Sequence, residues 1–129
     1  MKSKIALAFD NCKKEKRPGL ITYTVAGDNS KNNSLKILNK ISRHADILEL
    51  GFPHNTPIAD GGQIQGSSYR AIKNGIKLKD VFLIVKKFKK NNPLKPIILM
   101  GYFNLIYQNG EENFLKSCKS SGVDGLIIV

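Results

Sequence analysis

Short apolar runs alternate with amphipathic stretches along this chain. Residues 20–25 (L-I-T-Y-T-V) are rich in β-branched and aromatic types and close at Gly27-Asp28-Asn29; residues 47–50 (I-L-E-L) lie between Asp46 and Gly51. Residues 97–100 (I-I-L-M) follow Pro96 and stop at Gly101, and residues 125–129 (G-L-I-I-V) form the last run. Apolar runs of this length, bounded by turn formers, predict four strands buried on both faces. Between them the spacing turns helical. Ser3 can cap a helix that puts Ile5, Ala8, Phe9 and Cys12 on one face, ending in the charged run before Pro18-Gly19. Leu35, Leu38 and Ile41 mark a second helix, capped by Ser34 or an earlier serine. Ile64, Ser68, Ala71 and Ile72 mark a third, stopped by Gly75, and residues 78–90 a fourth that ends at Asn91-Asn92-Pro93. Glu111 and Glu112 open a last helix carrying Phe114, Leu115 and Cys118 and ending at Gly122, with the acids placed to suit its dipole.

Strands alternating with helices, each strand apolar, imply an α/β fold with a parallel sheet and right-handed crossovers. Four β/α units preceded by a helix are half of a (β/α)8 TIM barrel, which takes about 250 residues. Residues 1–129 are therefore expected to be the N-terminal part of one TIM-barrel domain.

Candidate chemistry sits around the second strand. Glu49 lies inside an apolar run, and burying a carboxylate costs several kcal/mol unless it is paired or neutralised. The loop that follows carries Pro53, Pro57 and then Ala59-Asp60-Gly61-Gly62 before the helix. Two carboxylates thus flank one strand-to-helix loop, at the end of a parallel sheet where functional groups are held. On the residues alone, a strand-terminal acid reaching water and a turn aspartate explain Glu49 and Asp60 equally well.

Composition narrows the classes. The 41% hydrophobic content suffices for one core, no run approaches the roughly 18 apolar residues of a membrane span, and the N-terminal apolar stretch is too short for a signal peptide. A soluble, cytoplasmic protein with no membrane partner is expected. Cys12 and Cys118 are far apart, without a Cys/His cluster, so free thiols are expected, with neither disulfide nor metal. The net charge of +11 raises nucleic acid as a partner. However, Lys86, Lys87, Lys89 and Lys90 fall between Val81, Ile84, Val85 and Phe88, so they are expected on the solvated face and last turn of a helix. No nucleic-acid partner is expected. From Asp28 to Asp80 the only intervening acids are Asp46, Glu49 and Asp60 among eight Lys and Arg, a basic surround that favours an anionic substrate.

The segments L-I-T-Y-T-V-A-G-D, L-E-L-G-F-P-H-N-T-P-I-A-D-G-G-Q-I-Q, P-I-I-L-M-G-Y-F-N-L-I-Y-Q-N-G and S-G-V-D-G-L-I-I-V resemble, in order and spacing, the α subunit of tryptophan synthase. The second is the most specific, being similar to the family signature L-E-L-G-x-P-x-S-D-P-x-A-D-G-P-x-I-Q. The resemblance implies a (β/α)8 barrel that cleaves indole-3-glycerol phosphate, a small phosphate ester, to indole and glyceraldehyde 3-phosphate in tryptophan biosynthesis. It also implies an α2β2 complex with a β subunit that carries pyridoxal phosphate, and no cofactor in this subunit. Glu49 and Asp60 match the family's catalytic carboxylates. Tyr102 matches a tyrosine of the indole pocket, and Tyr23 lies near a matching aromatic, with core packing as the plainer reading of both. Pro53, Thr56 and Asn104 would face the β subunit. Departures are His54-Asn55-Thr56, where the family commonly has Phe-Ser-Asp, and Gly62 in place of a common proline, which loosens the loop-to-helix junction. Thr56 thereby removes the carboxylate that pairs with the partner. The family's phosphate site comes from late-strand loops and a helix N-terminus. It is not among these residues, so they are expected to be inactive alone. Alternatives are another phosphate-binding TIM-barrel enzyme and a basic, non-enzymatic binding module.

Overall fold

Ser3 begins the fold: its backbone is extended and its hydroxyl accepts the Ala6 N–H at 3.2 Å, capping helix α1 (Lys4–Lys14). The computed structural model describes residues 2–129. After α1 come β1 (Ile21–Val25), α2 (Lys31–Ile41), β2 (Ile47–Gly51), α3 (Gly62–Lys73) and α4 (Leu78–Asn91). They are followed by β3 (Ile97–Gly101), α5 (Phe103–Asn109), α6 (Glu111–Ser121) and β4 (Gly125–Ile128). The strands form one parallel sheet in the order β1-β2-β3-β4, so each pairs with its neighbour in sequence. This is the topology expected of the first four units of a (β/α)8 barrel.

Register decides what each face carries, because side chains alternate across a strand. On one face Leu48, Leu50, Ile97 and Leu99 are fully buried, in one cluster with Leu38 of α2, Val81, Val85 and Phe88 of α4, and Phe114 of α6. On the other face, Tyr23, Glu49, Ile98 and Gly125 form a single row across all four strands. This second face is only partly covered: Tyr23, Glu49 and Met100 are half-buried and Ile127 is exposed. The expectation of strands buried on both faces holds for β2 and β3, where only Glu49 and Met100 fall short of full burial, and fails for the outer strands β1 and β4. β4 departs furthest, with Leu126, Ile127 and Ile128 all exposed.

Other features have local causes. The cap of α2 is the earlier serine, as one of the two expected readings has it: Ser30 accepts the Asn33 N–H at 3.0 Å, while Ser34 is buried and accepts the Gly27 N–H at 2.7 Å. Gly27 has φ +82°, and a Cβ there would press on Ile76 at 2.8 Å, so only glycine fits that turn. Phe9 is exposed and rests on the Gly19 link, while Leu115 is exposed because it lies about 100° round α6 from Phe114. Residues 103–109 fold as helix α5, which puts Asn104 on a helix.

Lys89 is the most consequential exception. It is not on the solvated face: its ammonium donates to Asp124 at 2.8 Å and to the Lys95 carbonyl at 2.8 Å. Asp124 also accepts the Ile97 N–H at 3.0 Å and pairs with Lys4 at 3.2 Å, which ties α1, α4, β3 and the start of β4 together. Burial pushes the Asp124 carboxyl up, but its donors outweigh that and hold it below its ordinary range. Cys12 and Cys118 are both buried free thiols. Among the described residues no helix is long and apolar enough to cross a membrane.

Candidate functional site

The site builds up at the carboxyl ends of β1, β2 and β3. Glu49 projects from the middle of β2 on the partly covered face, with Tyr23 of β1 and Ile98 of β3 as its register neighbours. Among the described residues its carboxylate has no hydrogen bond or ion pair. Desolvation by this surround raises its pKa above the ordinary value. Two residues on, Gly51 makes room for Tyr23, because a Cβ there would overlap the tyrosine hydroxyl. Burial pushes the Tyr23 phenol up to about 12, and the negative charge of Asp60 and Glu49, with Tyr102, adds to the shift. Tyr23 is thus within electrostatic reach of both carboxylates.

Asp60 reaches the same place from the loop between β2 and α3. The Tyr102 hydroxyl donates to its Oδ2 at 3.2 Å and accepts the Ala59 N–H at 2.9 Å. Tyr102 itself follows the end of β3 and is only 8% exposed. Burial raises its pKa, and the charge of Asp60 and the hydrogen bond to it act in the same direction. The His54 ring packs edge-on against Tyr102, with centroids 5.0 Å apart.

The structure therefore brings Glu49, Asp60, Tyr23 and Tyr102 to one end of the sheet. Pro53 and Asn104 lie elsewhere together: with His54, Asn55, Leu105 and Gln108 they line a groove of about 380 Å³ floored by Ile76 and Val81. Neither carboxylate lines this groove, and Thr56 sits outside it, exposed in the loop, with its hydroxyl donating to Asn55 at 3.3 Å. Sequence reasoning missed His54 as a neighbour of Tyr102, the Ala59 N–H as a tether, and Gly51 as the space for Tyr23. Only the glycine left a readable signal, as a strand-end residue beside a buried acid.

The family model described as "Tryptophan synthase alpha chain" matches residues 9–129. The chain belongs to the tryptophan synthase alpha chain family. The tryptophan synthase alpha chain of Pelagibacter ubique is 67% identical over 127 residues, which cover 98% of this chain and 48% of that protein. That of Pyrococcus furiosus is 49% identical over 110 residues, 85% of this chain and 44% of the relative. Among solved structures, tryptophan synthase subunit alpha from Legionella pneumophila str. Paris superposes with a TM-score of 0.96 at 33% identity, covering 100% of this chain and 50% of that one. The tryptophan synthase complex from Pyrococcus furiosus gives a TM-score of 0.83 at 49% identity, with 86% of this chain and 46% of that chain covered. This member of the tryptophan synthase alpha chain family spans about half the length of the curated relatives it matches. What it aligns with is the first four β/α units of their fold.

Proposed function

We propose that these residues supply the acid/base end of an active site that cleaves indole-3-glycerol phosphate to indole and glyceraldehyde 3-phosphate. The observation that carries this reading is the pairing of two carboxylates in unlike surroundings at one strand-to-loop junction. Glu49 is desolvated and unpartnered, whereas Asp60 accepts a hydroxyl donor in the loop. Carboxylates whose environments differ in this way suit different roles, the desolvated one carrying the proton and the hydrogen-bonded one stabilising charge.

In the reaction, Glu49 in its protonated form delivers a proton to C3 of the indole ring, and the ring becomes an indolenine cation. Asp60 accepts the indole N–H and stabilises that cation. Glu49, now a carboxylate, removes the proton from the hydroxyl on the adjacent glycerol carbon. The C–C bond breaks, its electrons return the ring to indole, and the glycerol carbon becomes the aldehyde of the triose phosphate. No water or redox partner is consumed. Tyr23 and Tyr102 supply aromatic walls for the indole, and the phosphate is held by parts of the barrel outside these residues.

The partner in this reading is a β subunit bearing pyridoxal phosphate, in an α2β2 complex; a relative from Pyrococcus furiosus has been solved as such an a2b2 complex. Pro53, Thr56 and Asn104 form the face turned to it, and the groove between the β2–α3 loop and α5 gives that face a concave surface. The test uses a family-length chain, made by joining residues 1–129 to the second half of the Pelagibacter ubique relative. Glu49→Gln in that chain abolishes indole release while substrate still binds, and Asp60→Asn is severely slowed. Turnover near that of the parent in Glu49→Gln would sink the reading.

A further inference from the structure

The loop from Pro53 to Asp60 has little to hold it. Inside it the backbone bonds are local, Ile58 N–H to Thr56 and Asp60 N–H to Pro57, and Gln65 reaches back to the Asp60 carbonyl at 2.8 Å. Its exit is also loose: a Cβ at Gly61 or Gly62 would meet nothing within 4 Å, and α3 has no side-chain cap. Among the described residues, the only hydrogen bonds from this loop to any residue outside 53–65 go to the Tyr102 hydroxyl.

Tyr102, in contrast, is fixed on every side. The Val129 N–H donates to the Gly101 carbonyl at 3.0 Å and the Phe103 N–H to the Val129 carbonyl at 3.0 Å, so its backbone is pinned at both flanks. From the other neighbouring strand, the Phe52 N–H bonds the Met100 carbonyl at 2.9 Å, and the Phe52 ring fills the space over Gly101 that a Cβ would occupy. His54 packs against the tyrosine ring from the loop side. A sparsely bonded loop is thus tied by one hydroxyl to a firmly held point of the sheet.

We propose that Tyr102 is a positioning residue whose hydroxyl fixes the loop aspartate, accepting the Ala59 N–H and donating to Asp60 Oδ2, so that the other carboxylate oxygen is aimed at the ring nitrogen of the substrate. This rests on the proposed reaction and goes beyond it, because it makes the Tyr102 hydroxyl act through Asp60 as well as placing the ring in the pocket wall. A hydrogen bond to a charged group contributes enough that losing it slows a step by about tenfold to a hundredfold.

The test compares Tyr102→Phe, Asp60→Asn and the double variant in the family-length chain, by single-turnover indole release at saturating substrate and by amide exchange at Ala59. Tyr102→Phe keeps the ring and its packing. It is expected to lower the rate about tenfold or more with KM within about twofold, and to speed exchange of the Ala59 amide. In the Asp60→Asn background the same change is expected to add little, since residues acting as a unit are not additive. Full multiplication of the two losses, or a Tyr102→Phe rate within twofold of the parent, overturns the proposal. The outcome is separable from failure of the reaction itself. If Glu49→Gln is inert while Tyr102→Phe is normal, only the positioning role falls; if Glu49→Gln turns over normally, the reaction falls.

Discussion

Replacing Asp124 by asparagine should destabilise the family-length chain by about 3 kcal/mol at pH 7, the range found when one partner of a buried ion pair is removed. The Lys89 and Asp124 side chains are 10% and 12% exposed, so the ammonium left behind has little water to turn to. The amide oxygen of the Asp124→Asn side chain still accepts the Ile97 N–H, so the loss comes from the charge missing opposite Lys89 and, at the more exposed side, Lys4. At an unfolding slope of ~2 kcal/mol/M, the urea midpoint falls by about 1.5 M. The effect has a sign in pH. The Asp124 carboxyl is held below its ordinary value in the fold, so its contribution is present above the unfolded pKa of ~3.9 and is lost as pH falls through the lower, folded value. The gap between parent and variant should therefore narrow in acid. Adding Lys89→Met should recover part of the loss, because no unpaired charge is then buried. Urea titrations of the three chains at neutral and acid pH check all of this. A loss under about 0.5 kcal/mol, or a double variant worse than the single one, would refute the reasoning.

Glu49 should behave in the opposite sense. Its pKa is raised in the fold, so the protonated form is the stabilising one and that contribution disappears as pH rises through the folded value. Glu49→Gln is expected to be more thermostable than the parent at pH 7, with no advantage below the unfolded pKa; equal melting temperatures at both pH values would count against a desolvated carboxyl. The third expectation concerns the charge of +11: duplex DNA should bind weakly, without sequence preference, and be released at physiological salt, as a filter-binding titration against salt would show.

The pattern of apolar runs located every strand to within a residue or so, because the interior strands β2 and β3 are buried along almost their whole length and so read as continuous apolar runs. It located the longer helices for a similar reason. It missed α5, whose seven residues are too few for a 3.6 period to emerge from the surrounding apolar positions. It also misplaced Lys89: periodicity assigns a Cα to a face, but a long flexible stem can carry the ammonium back under the sheet. The two carboxylates were legible as unusual, and the family resemblance paired them. Their geometry was not legible. That Tyr23 stands beside Glu49 follows from strand register, and that Tyr102 holds Asp60 follows from packing between residues 42 apart in sequence. Neither spacing leaves a mark on the composition of the segments involved.

The sheet order has a kinetic consequence. Because the strands lie side by side in the order in which they are made, no strand waits for a partner beyond the next one along the chain. Each pairing closes a loop of moderate length, and the entropic cost grows only as ~(3/2)RT ln n. Assembly can therefore follow synthesis from the N-terminus, one β/α unit docking on the edge left by the last. At every stage two strand edges are unsatisfied, that of β1 and that of the newest strand, which in these four units is β4. Until a strand pairs with each of these edges, the nascent chain is open there to capture by another chain's strand, so order of synthesis alone does not remove the need for protection.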